Sequence, residues 1–103
     1  MSSKHPIDLV KEKSLLKELH AALHANAFSF IAPGEYLTSE VHALVQEQYP
    51  ELCRDAFLCR YNCNSGNDSP EWHHRVRRTL QQHGKLKKNG RIENVRRGVW
   101  KFK

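Results

Sequence analysis

Arginine and histidine side chains are concentrated between residues 69 and 102, in a pattern that could bind an anionic ligand. The first group is His73, His74, Arg75, Arg77 and Arg78, and the second is Arg96, Arg97 and Lys101. A guanidinium group binds phosphate or carboxylate through paired hydrogen bonds, and it can read a guanine edge in the same way. These residue types therefore suggest recognition of a polyanion.

A capped helix would position the first group. The Ser69 hydroxyl can cap this helix, Pro70 suits its first position, and Glu71 complements its dipole. Apolar residues then recur at steps of three and four, which defines a core-facing side. The residues on that side are Trp72, Val76, Leu80 and His83. The arginines consequently lie on or beside the open face of the helix.

A β-hairpin would position the second group. It follows Asn89 and Gly90, which are a natural helix stop. Residues 92–95 and 99–102 alternate between apolar and polar side chains around the basic segment 96–98. Both tryptophans occupy apolar positions of their elements, so we expect them in the core. A helix followed by a two-stranded wing is the layout of a winged helix-turn-helix domain, which is an α+β fold.

The leucine spacing near the start of the chain predicts a further helix. It follows a polar tail at residues 1–5, begins at Pro6 and continues to about Ala27 with one apolar stripe. Residues 28–31 are a short β-type run before a Pro-Gly turn. We expect this run to join the sheet of the hairpin.

Another helix is predicted between these elements and the basic helix. Thr38 or Ser39 would cap it, and Tyr49 with Pro50 would stop it. Residues 51–68 follow as a long loop rich in turn-forming residues, which is either a functional loop or a tolerated insertion. We therefore expect three main helices and a C-terminal hairpin in a single domain of 103 residues.

The net charge of +6 is distributed unevenly along the chain. Residues 71–103 contain 11 basic and two acidic side chains and carry +9, whereas residues 1–70 contain six basic and nine acidic side chains and carry −3. A local excess of this size favours nucleic acid as the partner. A solvated basic face without a ligand is the alternative.

The sequence contains no pattern typical of secretion or of a membrane span. Its first apolar run is short and is interrupted by Asp8, Lys11 and Glu12. Three cysteines, an odd number without paired spacing, favour reduced thiols. We therefore expect a cytoplasmic, nucleoid-associated protein that has no membrane partner.

The order of motifs resembles the winged-helix domains of bacterial restriction endonucleases, especially modification-dependent and Mrr-like systems. The similar segments are residues 36–38, 49–50, 76–80, 86–93 and 97–100, within a resemblance that covers residues 36–102. It implies a domain that binds double-stranded DNA while a separate domain cuts it. This sequence departs from the family pattern in two places. Residues 51–68 look longer than in the simplest members, and Gly84 looks like part of an insertion. The helix would then end at His83 and resume at Lys85.

Residue types and positions predict how such a domain would contact DNA. An α-helix fits the major groove, so side chains at and before its start are the natural readers of bases. The predicted readers are Asn67, His73, His74 and Arg77. The predicted backbone contacts are Arg75, Arg78, Lys87 and Lys88 on the helix, and Arg96, Arg97 and Lys101 on the wing. Ordinary surface histidines and a solvent-exposed hairpin tip are the alternatives.

Metal binding and catalysis have less support in the sequence. Cys53, Cys59 and Cys63, followed by His73 or His74, offer ligand types that suit zinc. Their spacing lacks the paired Cys-x-x-Cys arrangement, so we favour thiols that pack the loop. The sequence has no nuclease core, catalytic triad order or phosphate loop. We therefore predict no metal, no cofactor, no small-molecule substrate and no enzymatic activity.

Two functions of different class remain. The first is a double-stranded DNA-binding module that reads a sequence or a modified base, as a stand-alone regulator or as the recognition part of a restriction system. It could act as a homodimer. The second is a protein-interaction winged helix that binds an acidic partner. Whether the face from His73 to Arg78 stays exposed is the feature that discriminates the two functions.

Overall fold

Three α-helices and a three-stranded sheet make up the part of the chain that the computed structural model describes, residues 8–62, 66–84 and 90–103. In chain order the elements are α1 (Leu9–Asn26), β1 (Gly34–Leu37), α2 (Thr38–Gln48), a 3-10 helix (Cys59–Tyr61), α3 (Glu71–Gly84), β2 (Ile92–Arg96) and β3 (Val99–Phe102). The sheet is antiparallel with strand order β1-β3-β2. The predicted α+β class, with three helices and a C-terminal hairpin, is confirmed.

Helix α1 begins at Leu9 because Asp8 caps it. A carboxylate oxygen of Asp8 accepts hydrogen bonds from two first-turn amides, at 3.1 and 3.2 Å. The predicted start at Pro6 and the polar tail 1–5 lie outside the described residues. Ala27, with a φ of 50°, ends the helix in a left-handed conformation. Neither α1 nor any other helix in the described part is long and apolar enough to span a membrane.

The predicted strand at residues 28–31 is wrong, because residues 28–30 form a turn and residue 31 a bend. Phe28 has a φ of 59°, a left-handed conformation that a strand does not accommodate. The Arg91 guanidinium donates hydrogen bonds to the carbonyl oxygens of Phe28, at 3.0 Å, and of Ile31. A side chain thus satisfies carbonyls that a neighbouring strand would otherwise bind. The strand that joins the sheet is β1.

The predicted cap of α2 is also wrong, because the helix begins at Thr38 itself. The Glu40 carboxylate accepts a hydrogen bond from the Leu37 amide at 2.7 Å. The Thr38 hydroxyl donates to the carbonyl oxygen of Gly98 at 3.3 Å and accepts from Trp100 Nε1 at 3.1 Å. The start of α2 is therefore held against the turn between β2 and β3.

The described part of the predicted long loop, residues 51–62 and 66–68, contains the 3-10 helix and folds back toward α3. The Cys59 amide donates to the carbonyl oxygen of Ser69 at 2.8 Å. The Glu71 amide donates to the carbonyl oxygen of Phe57, also at 2.8 Å. A backbone carbonyl, instead of the predicted Ser69 hydroxyl, thus satisfies the first amide of α3. The helix accordingly begins at Glu71, one residue later than predicted.

Both tryptophans pack in the core, which confirms the prediction made from periodicity. Trp72 and Trp100 are each 3% exposed, and Trp72 Nε1 donates to Asp55 at 2.8 Å. Gly84 ends α3 against the second ring, where a Cβ would lie 2.9 Å from a carbon of Trp100. The described part of α3 extends to Gly84, one residue beyond the predicted end at His83. Its predicted resumption at Lys85 lies outside the described residues.

Candidate nucleic-acid interface

A cleft of about 800 Å³ separates α3 from the β2–β3 hairpin. Its walls carry His74, Arg77, Arg78 and Gln81 from α3, and Asn94 and Arg97 from the hairpin. Packing of Trp100 and its hydrogen bond to Thr38 hold the hairpin beside α3 and α2. The fold thus brings together four predicted DNA contacts from two separate segments of the sequence.

The cleft is cationic. Arg77 and Arg78 are exposed on α3, and Arg97 is exposed in the turn of the hairpin. No carboxylate of the described residues lines the cleft, so its positive charge is not neutralised locally. Guanidinium groups that share a concave surface raise its potential and attract phosphate groups from a distance. The arrangement suits an anionic ligand.

Asn94 and Gln81 line the cleft but were not predicted from the sequence as contacts. The Asn94 amide donates to the carbonyl oxygens of Arg96, at 2.9 Å, and of Val99, at 3.0 Å. These bonds span an irregularity in the pairing of β2 with β3 and shape the hairpin next to the cleft. Gln81 lies one turn after Arg77 on the same helix face. Because residues four apart share a face, the spacing from Arg77 could have identified Gln81 as a residue of the same surface.

His73, predicted to read bases, is half-buried against a second histidine. Its ring stacks on His42 with 4.1 Å between the ring centroids and 10° between the ring planes. Burial lowers the pKa of His73, and the positive charge of Arg77 acts in the same direction, against Asp55. Burial and the neighbouring His73 lower the pKa of His42 to about 4. The pair is therefore a neutral, packed support beneath the start of α3.

Asn67 and Arg75 lie outside the cleft, in two smaller pockets at the start of α3. Asn67 borders a pocket of about 310 Å³, and its side-chain oxygen accepts from the Ser69 amide at 2.8 Å. Arg77 also lines this pocket, so it connects the pocket to the cleft. Arg75 borders a pocket of about 100 Å³ that Arg78 and His74 share. The predicted readers thus surround the first two turns of α3.

The remaining predicted backbone contacts are dispersed. Arg96 is exposed at the end of β2 but does not line the cleft. Lys101 is paired in register with Glu35 of β1 and Glu93 of β2, on the opposite side of β3 from the cleft-lining Trp100. The charge of Lys101 is therefore flanked by carboxylates. Lys87 and Lys88 lie outside the described residues.

The candidate zinc ligands do not form one group. Cys53 is 4% exposed in the core, where burial, with a smaller effect of Asp55, raises the pKa of its thiol to about 12. A thiol in that state is a poor metal ligand. His73 is stacked as described, and Cys63 lies outside the described residues. Of the candidates, Cys59 and His74 do lie near each other, together with Glu71, which the sequence did not indicate as a ligand.

Comparison with protein-family models, curated proteins and solved structures gives no match for this chain.

Proposed function

We propose that this protein is a double-stranded DNA-binding winged helix. One observation carries the proposal: Arg77, Arg78 and Arg97 converge on a single open cleft that no carboxylate of the described residues lines. Clustered guanidinium groups on a helix and an adjacent hairpin complement the negative charge of a phosphate backbone. Both elements can then contact one duplex at the same time.

The arrangement of elements supports this proposal. The order α1, β1, α2, α3, β2, β3, with β1 paired to β3, resembles a helix-turn-helix whose C-terminal hairpin is a wing. In that reading α2 supports α3, and Thr38 links this support to the turn of the wing. The same layout accords with the resemblance to restriction endonucleases. We therefore propose a stand-alone regulator or the recognition part of such a system, with the nucleoid as its location.

We propose different roles for the cationic residues according to their positions. Arg77 faces both the cleft and the pocket at the helix start, which suits a base contact in the major groove. Arg78 and Arg97 line opposite walls of the cleft and suit phosphate contacts. His74 is exposed beside them and is a second candidate reader. His73 supports the helix start because its ring is already stacked.

A binding titration tests the proposal. Fluorescence anisotropy of a labelled duplex would be followed at several salt concentrations, with an acidic polypeptide of equal charge as the comparison. DNA binding predicts saturable association with the duplex whose affinity falls steeply with salt. Binding to the acidic polypeptide without detectable binding to any duplex would instead support a protein-interaction winged helix.

A further inference from the structure

Three side chains with metal-binding atoms meet where the loop joins α3. They are Cys59 in the 3-10 helix, Glu71 at the first position of α3, and His74 one turn later. The sulfur, a carboxylate oxygen and an imidazole nitrogen all lie within 4.8 Å of one another. The group is held by backbone bonds, since the Cys59 amide binds the Ser69 carbonyl oxygen at 2.8 Å.

Glu71 provides an independent indication that this group binds a cation. Its side chain is only 2% exposed, which is unusual for a carboxylate. Its Oε2 accepts a hydrogen bond from Asn62 Nδ2 at 3.0 Å, whereas its Oε1 is buried without a hydrogen-bond partner among the described residues. A buried carboxylate oxygen without a partner is strongly unfavourable unless a positive charge approaches it. A metal ion would supply that charge.

We propose that Cys59, Glu71 and His74 form a binding site for a zinc-like divalent transition-metal ion. Thiolate and imidazole exclude magnesium and calcium, which prefer oxygen ligands, and the addition of a carboxylate suits zinc. Bond lengths of roughly 2.0 to 2.3 Å in a tetrahedral site separate ligand atoms by about 3.5 Å. The atoms of the group lie within 4.8 Å of one another. The group therefore needs a contraction of at most about 1.3 Å, and the exposed His74 side chain can move that far.

The charge and the access of the site also fit such an ion. A thiolate and a carboxylate together offset the two positive charges of the metal, which would lie beside Arg75 and Arg78. The pocket of about 100 Å³ that adjoins Glu71 and His74 opens to solvent and leaves room for a water as the fourth ligand. Asn62, which already binds Glu71, would orient the carboxylate from behind.

The site goes beyond DNA binding and would affect how α3 is presented. His74 Nδ1 faces Glu71 Oε2 at 3.8 Å. A metal bound at this nitrogen keeps the imidazole neutral and leaves its proton on Nε2, which then becomes a fixed hydrogen-bond donor. The ion would also join the loop to the first turn of the helix. Metal binding is a property of the chain itself and does not depend on whether DNA is the partner.

Titration of the full-length reduced protein with cobalt(II), after removal of metals, tests the proposal. Cobalt bound to a thiolate gives a charge-transfer absorption in the near ultraviolet, so the ligand type is observed directly. We expect one equivalent of cobalt to produce this band and zinc to displace it. Cys59→Ser should abolish the band. His74→Asn should weaken cobalt binding by at least about 100-fold. Replacing a residue that only hydrogen-bonds to a metal ligand already lowers metal affinity roughly 10- to 100-fold, and loss of a ligand costs more.

Controls separate this site from other thiols and from misfolding. Cys53→Ala removes a buried thiol outside the group and should leave both the band and the affinity unchanged. Circular dichroism checks the fold of each variant. We substitute His74 and not Glu71, because His74 is exposed whereas Glu71 is buried and its replacement would disturb packing. The proposal is overturned if the unmodified chain gives no thiolate band. It is equally overturned if the band survives Cys59→Ser, or if folded His74→Asn binds cobalt as tightly as the unmodified chain.

Discussion

Removal of Arg78 and Arg97 is the sharpest perturbation of the proposed DNA interface. The two side chains are exposed and line opposite walls of the cleft, one on α3 and one on the hairpin. Neither has an ion-pair partner among the described residues, so the alanine substitutions leave no carboxylate uncompensated. The double variant Arg78→Ala with Arg97→Ala therefore changes the charge of the cleft without disturbing the core.

The expected magnitude follows from counterion release. Each lost phosphate contact lowers the slope of log affinity against log salt concentration by about 0.9, so two contacts lower it by about 1.8. Between roughly 50 and 200 mM salt, one contact changes affinity by about 3.5-fold and two by about 12-fold. The affinity of the double variant should therefore depend much less on salt than the affinity of the unmodified chain.

The assay is fluorescence anisotropy of one labelled duplex at four or five salt concentrations. Lys101→Ala is a matched control, because this residue is a cation of the same hairpin that lies between Glu35 and Glu93 on the side away from the cleft. Its slope should remain that of the unmodified chain. Circular dichroism of each variant verifies folding.

Two results would refute the reasoning. If the double variant keeps the original slope, the cleft does not contact phosphate groups. If Lys101→Ala lowers the slope by about 0.9, the decrease expected for one lost phosphate contact, DNA lies on the outer face of the sheet instead.

Three further predictions concern α3 and its support. Arg77→Ala should cost about 1 to 3 kcal/mol of binding free energy on a preferred duplex and much less on a scrambled one, whereas Arg75→Ala should leave this difference intact. Gly84→Ala should lower the free energy of unfolding, measured with denaturant, by about 1 to 3 kcal/mol, because its methyl group would overlap the Trp100 ring. Acidification should destabilise the fold, because the pKa of His42 falls from 6.5 to about 4 on folding. The unfolded chain takes up this proton first, so unfolding free energy decreases as pH falls from 6.5 to about 4.

Each of these predictions has a contradicting outcome. If the Arg75→Ala variant loses its preference for the preferred duplex and the Arg77→Ala variant keeps it, α3 is rotated relative to the duplex. An unchanged denaturation midpoint for Gly84→Ala would show that Trp100 can move away at little cost. His42→Gln should make the free energy of unfolding depend less on pH between 4 and 6.5. If the dependence is equally steep in this variant, groups other than His42 cause it.

The basic helix and the hairpin could be predicted from the sequence because their signals are local. Trp72, Val76 and Leu80 repeat with the period of a helix, and all three are buried in α3. The hairpin turns at Gly98, whose φ of 77° suits a glycine. The concentration of arginine in these two elements was equally visible. Helix and strand periods are set by residues within one or two turns, so a single segment contains the information.

Contacts between distant segments were decided only by the tertiary structure. Residues 28–31 read as a strand, but Arg91, about sixty residues later, binds their carbonyl oxygens and stabilises a turn. The convergence of Arg97 with the arginines of α3 depends on how β3 pairs with β1. The meeting of Cys59 with Glu71 and His74 depends on a loop that folds back through backbone hydrogen bonds. The conformational propensities of one segment do not include such contacts, because the contacts contribute free energy only when the core brings the segments together.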